Sequence, residues 1–348
     1  MIDDTATGEC ARTRAIVNVP DCYADPRFNP QFDRDTGYRT RCLIAVPLMG
    51  LEDELVGVLQ LLNSNKECFD VGDERMSEAL AGQAAVAIQR ARLMEDRLEK
   101  LKLQRDLALA RQIQMNVLPR ELPKVEGYDL AGFSQPAEET GGDIYDILTC
   151  REGDSPPIMM LMADATGHGV GPAISVTQVR AMMRVAVRTN ASLDDLLLHI
   201  NRQVCDDLDG SRFVTAFFGV LDPVNHRVAY HSAGQGPLLH YHATQRRCEW
   251  LDASTLPLGI MADMPIDAVQ PFDLKRGDAL VLLTDGFYEY QNEAGQQLGK
   301  ERIGAVVDRC RDEDAQSLLQ ALLAEVRSFA NGAKQLDDLT AVIIKRRA

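Results

Sequence analysis

Ile158-Met159-Met160-Leu161-Met162-Ala163-Asp164-Ala165-Thr166-Gly167-His168-Gly169 runs from six apolar residues into an aspartate and a glycine-punctuated turn. An apolar run of this length, bounded by turn residues, reads as a buried strand whose end carries a carboxylate. Gly141-Gly142-Asp143-Ile144-Tyr145-Asp146 is a flexible turn opening a strand, and Leu282-Leu283-Thr284-Asp285-Gly286 is an apolar strand ending in Asp-Gly. Leu336-Asp337-Asp338-Leu339-Thr340 immediately precedes the apolar run Ala341 to Ile344. Any one of these is ordinary turn chemistry. Together they place several carboxylates at one edge of the sheets. Unpaired, such groups repel and resist desolvation, so the cluster implies bound cations. Ligation by oxygen without a Cys/His set points to Mg²⁺ or Mn²⁺ rather than zinc.

Around these motifs, residues 124–348 hold strands and helices in groups rather than in alternation. Strands are expected at 128–133, 143–149, 158–163, 213–221, 227–233, 237–242, 247–251, 267–273, 279–284 and 339–345. Helices are expected near 171–189, 193–208, 299–309 and 314–330, with Ser192 and Asp195 as a capping box for the second. Hairpin-spaced strands with segregated helices predict an α+β layered fold, not a doubly wound sheet.

Upstream, Asp73 to Val117 contains no proline and a single glycine, Gly82. Leu80, Ala84, Ala87, Ala91, Met94, Leu98 and Leu101 recur at spacings of 4, 3, 4, 3, 4 and 3, a heptad seam. Charged residues such as Glu95, Asp96, Arg97, Glu99 and Lys100 cover the other faces. The narrow stripe predicts a connecting helix over 77–118 that forms a parallel dimeric coil, in preference to packing only on its own domain. Pro119 and Pro123 end it. Before it, Leu43 to Leu48 and Leu55 to Leu62 read as a hairpin, and Asp21 to Thr40 as an irregular loop of the kind used in ligand binding. The expected domains are 1–76, 77–118 and 119–348.

The chain has 348 residues, a length for two or three domains at about 150 residues each. Lys plus Arg number 37 against 52 Asp plus Glu, a net charge of −15. That balance disfavours a nucleic-acid backbone or an anionic membrane surface as partner. A hydrophobic content of 45% supports a sizeable core, and no apolar run approaches the roughly 18 residues of a membrane span. Met1-Ile2-Asp3-Asp4-Thr5 has neither the basic nor the apolar region of a signal peptide. Eight scattered cysteines without a CxxC pair read as reduced thiols. The expected compartment is the cytoplasm.

The order GGDxYD, ADATGHG, TDG and DDLT resembles the PPM-type metal-dependent protein phosphatases of the SpoIIE/RsbU-like branch. Ala110-Arg111-Gln112-Ile113-Gln114 ahead of Leu118-Pro119, Phe213 to Phe218 followed by Leu221-Asp222-Pro223, and Leu256-Pro257-Leu258-Gly259 are similar as well. The resemblance covers residues 110–348 and implies a central β-sandwich flanked by helices, with a two-metal centre at one end. It further implies that Asp164 bridges two Mn²⁺ or Mg²⁺ ions and that the Ala165 carbonyl adds an oxygen. Asp285 and Asp337 would complete one ion, Asp143 would hold the second, and Asp338 would sit beside the substrate phosphate. The implied catalytic residues are Asp164, Asp285 and Asp338. The implied reaction is attack of a metal-bridging hydroxide on phosphoserine or phosphothreonine. In this branch the usual substrate is a phosphorylated anti-sigma-factor antagonist of the STAS type. Asp146 is weighed evenly as an outer group of the site. His168 is weighed as a general acid against a slightly preferred role in bonding its own turn. Gln235 and Gly236, within Ala233-Gly234-Gln235-Gly236-Pro237, replace the His-Asn of the branch, and Ala165-Thr166 replaces the commoner Val-Ser.

Asp25-Pro26-Arg27-Phe28-Asn29, Thr36-Gly37-Tyr38-Arg39-Thr40, and Asn65-Lys66 with Phe69, Asp73 and Glu74 resemble a GAF domain, the last set as its NKxxFxxxDE signature. Only the C-terminal half to two thirds of such an α/β domain is represented. The resemblance implies a small-molecule sensor, with a cyclic nucleotide as candidate effector. A structural role for Asn65, Lys66 and Asp73, tying loops by salt bridge and cap, is the favoured reading of the signature itself. A phosphatase regulated by this segment stands against a non-catalytic, ligand-sensing or partner-binding dimer. A degenerate acidic set would favour the latter, and the set is complete.

Overall fold

The computed structural model describes residues 5–347 except 152, 154, 209, 211 and 267–270. It divides into two compact units, residues 1–104 and 105–348. The second unit is built on two antiparallel five-stranded sheets. One runs in the order β10 (Arg247–Leu251), β9 (Leu238–His242), β12 (Ala279–Leu283), β13 (Leu339–Arg346) and β4 (Tyr128–Gln135). The other runs β11 (Phe272–Asp273), β8 (Arg227–Ala233), β7 (Val214–Asp222), β6 (Ile158–Ala165) and β5 (Asp143–Thr149).

Period-2 alternation sorts each strand between two cores. Met160 and Met162 of β6 and Phe217 of β7 meet Leu280, Leu282, Val342 and Ile344 of the facing sheet. Met159, Leu161 and Ala163 point the other way, onto α4 (Val170–Arg188) and α5 (Leu193–Asp207). The outer face of the first sheet, with Leu239, Tyr241, Val281 and Ile343, is covered by α7 (Lys300–Arg309) and α8 (Ala315–Ala330). The layers are therefore helix, sheet, sheet, helix, the α+β arrangement expected. Ser192 caps α5 by accepting the Asp195 amide at 3.1 Å, and Asp314 caps α8 by accepting the Ser317 amide at 2.7 Å. The expected strand at 267–273 lies partly outside the described residues, and Phe272–Asp273 forms β11.

The first unit holds the sheet β1 (Val17–Val19), β2 (Leu43–Met49), β3 (Leu55–Leu62), with α1 (Ala6–Thr13), α2 (Gln31–Thr36) and the first part of α3 (Val71–Val117). The expected hairpin is β2–β3. Two helices differ from expectation. Thr5 caps α1 through the Gly8 amide at 3.1 Å, and α2 interrupts the segment read as an irregular loop. Both are too short for an apolar period to reveal them. Asp33 fixes α2 by accepting the Thr40 amide at 2.6 Å, the Thr40 hydroxyl at 2.7 Å and the Tyr23 hydroxyl at 3.0 Å. Lys66 reaches Asp70 at 2.6 Å and Asp73 at 3.3 Å, while Asp70 and Asp73 accept each other's amides. Lys66 and Asp73 thus tie the loop to the start of α3.

Helix α3 carries two stripes. Ala81 and Ala85 pack on Ile44, Val46 and Leu48 of β2. The heptad seam runs beside that stripe: its Ala84 is half-buried against the same cluster, while Leu80, Met94, Leu98 and Leu101 are each more than half exposed. Among the described residues, no helix is long and apolar enough to cross a membrane.

Phe217 is fully buried between the sheets and stacked on Tyr230 at 5.5 Å. Phe217→Ala should lower the unfolding free energy by about 3–5 kcal/mol, read as a lower urea midpoint at unchanged slope. A loss below about 1 kcal/mol would show that this layer collapses around the deletion.

Candidate metal centre

β5 opens at Asp143 and β6 reaches its end at Asp164-Ala165, and the two aspartates are register partners. In the facing sheet β12 stops at Leu283, placing Asp285 at the start of the one-turn helix α6 (Asp285–Tyr288). β13 starts just after Asp337 and Asp338. The Thr284 amide donates to the Thr340 carbonyl at 3.0 Å, and the Thr340 amide to the Thr284 hydroxyl at 3.0 Å, which holds these two strand ends together. The Asp143 amide then donates across to Asp338 Oδ2 at 3.2 Å, joining the two sheets.

Two glycines allow this closeness. A Cβ on Gly142 would lie 2.7 Å from the Ala165 carbonyl oxygen and 3.1 Å from Asp164 Oδ1. A Cβ on Gly286 would collide with the Asp338 carbonyl. The Gly-Gly-Asp and Asp-Gly pairs are therefore demanded by packing between motifs as well as by turn chemistry.

The electrostatics follow from crowding carboxylates in a buried place. Burial raises Asp143 well above the usual carboxylate range, and the charges of Asp164 and Asp338 add to it. Burial, then the charges of Asp285, Asp337 and Asp338, push Asp164 up to about 7. Asp285 and Asp338 are also raised, chiefly by burial. Asp143 Oδ2 is buried without a hydrogen-bond partner. An all-oxygen set with mutual repulsion and an orphaned carboxylate oxygen fits hard divalent cations.

The remaining residues separate by position. Asp338 is 8% exposed, and its carboxylate accepts the Ala137 amide at 2.7 Å besides that of Asp143, so it clasps the 137–143 turn. Asp337 is exposed and accepts the Asp338 amide at 2.8 Å. Asp146 lies on the opposite face of β5 from Asp143, wholly buried, in ion pairs with Arg180 at 2.8 Å and Arg184 at 2.5 Å from α4. It anchors the helix that follows the Asp164 turn. The His168 side chain is 85% exposed, 3.4 Å from Glu138. Gln235 is buried and accepts the Thr215 hydroxyl at 2.8 Å, and Thr215 is the register partner of Asp164 on β7. Gln114, near the end of α3, donates to the Gly141 carbonyl at 2.7 Å and accepts the Gly141 amide at 3.1 Å. The sequence marks Gln114 only as part of the family-like segment Ala110 to Gln114; its pairing with Gly141 is visible in the structure alone.

A family model described as Stage II sporulation protein E (SpoIIE) matches residues 155–347, and one described as GAF domain matches residues 1–88. The chain belongs to the SpoIIE family, a branch of the PPM-type protein serine/threonine phosphatases, with a GAF domain at its N-terminus. It is 27% identical over 252 residues to the phosphoserine phosphatase RsbU of Bacillus subtilis, covering 71% of each chain. Over 108 residues it is 37% identical to the dual 3′,5′-cyclic-AMP and -GMP phosphodiesterase 11 of Drosophila melanogaster, covering 30% of this chain and 7% of that one. Its fold is similar to the SiaA-PP2C domain of Pseudomonas aeruginosa, with a TM-score of 0.60 and 20% identity, covering 71% of this chain and 98% of that one.

The raised carboxyl groups mean that the folded protein binds more protons than the unfolded chain from about pH 4 to about pH 7. Their stabilising contribution is present at the acid end and is lost as pH rises through the Asp164 value of about 7. Cations that replace those protons should stabilise more at about pH 8 than at about pH 5.5. Thermal melts with saturating Mn²⁺ should rise by about 5–10 °C at the upper pH and by less at the lower. Equal rises at both would place the bound ion away from these aspartates.

Proposed function

We propose that the chain is a Mg²⁺- or Mn²⁺-dependent phosphatase that removes phosphate from serine or threonine of a small regulatory protein, an antagonist of the STAS type, under control of its GAF segment. The observation that carries this reading is the convergence of Asp143, Asp164, Asp285, Asp337 and Asp338 with the Ala165 carbonyl at one end of the sandwich. The relative named a phosphoserine phosphatase supports the substrate class.

Asp164 would contact both of two ions, Asp285 and Asp337 would complete one, and Asp143 and the Ala165 carbonyl would serve the other. Divalent ions held there supply hydroxide at neutral pH and neutralise charge on the phosphoryl oxygens. Asp338 borders the phosphate position while its clasp on Ala137 and Asp143 keeps the turn against Asp164. Gln235, with no titrating group, contributes by holding Thr215 beside the end of β6.

The organisation we propose is a partial sensor domain over 1–76, a connecting helix over 77–118 and a phosphatase domain over 119–348. The first unit contains a cavity of about 260 Å³ bordered by Arg27, Phe28, Asp33 and Thr40, which we assign to the effector. A cyclic nucleotide is the candidate, supported by the relative named for cyclic-AMP and -GMP. Gln114 offers the regulatory contact, because a shift of its helix breaks both bonds that hold Gly141 next to the metal-binding turn. The exposed heptad seam is assigned to a second copy of the chain. Scattered thiols and the acidic composition fit the cytoplasm.

Hydrolysis of p-nitrophenyl phosphate should require Mn²⁺ or Mg²⁺, and Asp164→Ala should lower it more than the roughly 100-fold typical of outer groups at metal sites. Turnover retained in a folded Asp164→Ala protein would remove the assignment. Exchanging Met94 and Leu98 for glutamate should convert a dimer to a monomer by light scattering. A dimer that survives both changes would place its interface elsewhere.

A further inference from the structure

β9 presents His240 and His242 on one face, and β10 pairs Glu249 directly with His240. One nitrogen of each imidazole and one Glu249 oxygen lie within 4.8 Å of one another. His242 Nε2 and Glu249 Oε2 are 2.6 Å apart. His240 is 4% exposed, its ring against Phe272 at 4.6 Å and His242 at 4.0 Å between centroids, and its Nε2 has no hydrogen-bond partner. Behind that nitrogen, at 3.6 Å, stands the buried carboxylate of Asp278. Amides fix that carboxylate, Ala243 on Oδ1 at 2.8 Å and Lys275 on Oδ2 at 3.0 Å. A carboxylate set behind an imidazole is the arrangement that orients metal-ligating histidines.

We propose that His240, His242 and Glu249 form a second metal site, for a borderline transition-metal ion such as Zn²⁺. Two imidazoles and one carboxylate suit zinc and its first-row neighbours, not Mg²⁺. Tetrahedral ligation wants the ligand atoms about 3.4 Å apart. His242 and Glu249, with side chains 19% and 39% exposed, are free to turn inward and close the set. Arg247, 3.3 Å from Glu249, gives up its ion pair when they do. The site is separate from the aspartate centre. His240 pairs with Leu280, and Asp285 lies five residues further along the chain, a distance of about 16 Å at the strand rise. β10 is the edge strand of its sheet, so an ion there staples the β9–β10 hairpin and closes the far end of the inter-sheet core.

The test is a Co²⁺ titration of the full chain in excess Mg²⁺, followed by visible absorption, a readout independent of turnover. One equivalent should bind with the spectrum of a four- or five-coordinate nitrogen/oxygen site, and Zn²⁺ should displace it. His242→Ala and Glu249→Gln, both at half-exposed positions, should each weaken binding at least about 10-fold. Neither should change phosphatase turnover with Mg²⁺, and Zn²⁺ should raise the melting temperature of the parent chain only. Identical Co²⁺ binding by parent and variants, or none that survives excess Mg²⁺, overturns the site.

Discussion

Repulsion among carboxylates gathered at one end of a sandwich is the constraint on which the rest of this structure depends. Asp143 and Asp164 come from one sheet, and Asp285, Asp337 and Asp338 from the ends of strands in the other. Bringing them together opposes folding, since burial, and then the charges of Asp164 and Asp338 on Asp143 and of Asp285, Asp337 and Asp338 on Asp164, raise their proton affinity. The surrounding architecture offsets that cost with contacts that do not involve cations. Thr284 and Thr340 join the two strand ends, Asp338 clasps the 137–143 turn, and Gly142 and Gly286 permit backbone approach. The two greasy layers behind, with Met160, Met162 and Phe217 meeting Leu282 and Val342, keep the sheets from spreading.

Much of this was legible because each acidic motif adjoins an uninterrupted apolar run. The strands at 143–149, 227–233 and 247–251 coincide with expectation, and the layered fold follows from hairpin spacing. Roles that depend on a partner distant in sequence were not legible. Asp146 looks like a member of the site when read beside Asp143, yet alternation along β5 turns it to Arg180 and Arg184 of α4. Gln114 lies in a segment that resembles the family's, but its partner Gly141 shows only where the helix end meets that turn. The pairing of Glu249 with His240 needs the register of a hairpin that composition does not determine.

Helix α3 shows how one periodic pattern can hide another. The heptad seam from Leu80 to Leu101 is conspicuous because it carries Leu80, Met94, Leu98 and Leu101, while the stripe that binds the first unit's sheet is made of Ala81, Ala85 and the adjoining Ala84. Small residues let the helix backbone approach β2 closely, and they contribute little to a hydrophobic pattern. Large side chains of the seam are thereby left for another surface. The same helix ends in the Gln114 amide pair, so a single element serves a sheet, an exposed seam and a glycine turn.

β5 presents a carboxylate to each of its faces, Asp143 toward the facing sheet and Asp146 toward α4. A slip of one residue against β6 would exchange the two faces, sending Asp143 among the apolar side chains under α4 and Asp146 between the sheets. Neither carboxylate would then find its present partners, and a buried unpaired charge is among the most costly errors a fold can make. The alternative pairing is thus penalised twice by one strand. Charge acts here as a ruler, measuring the alignment of β5 on β6 more strictly than the interchangeable Ile144, Ile147 and Leu148 around it.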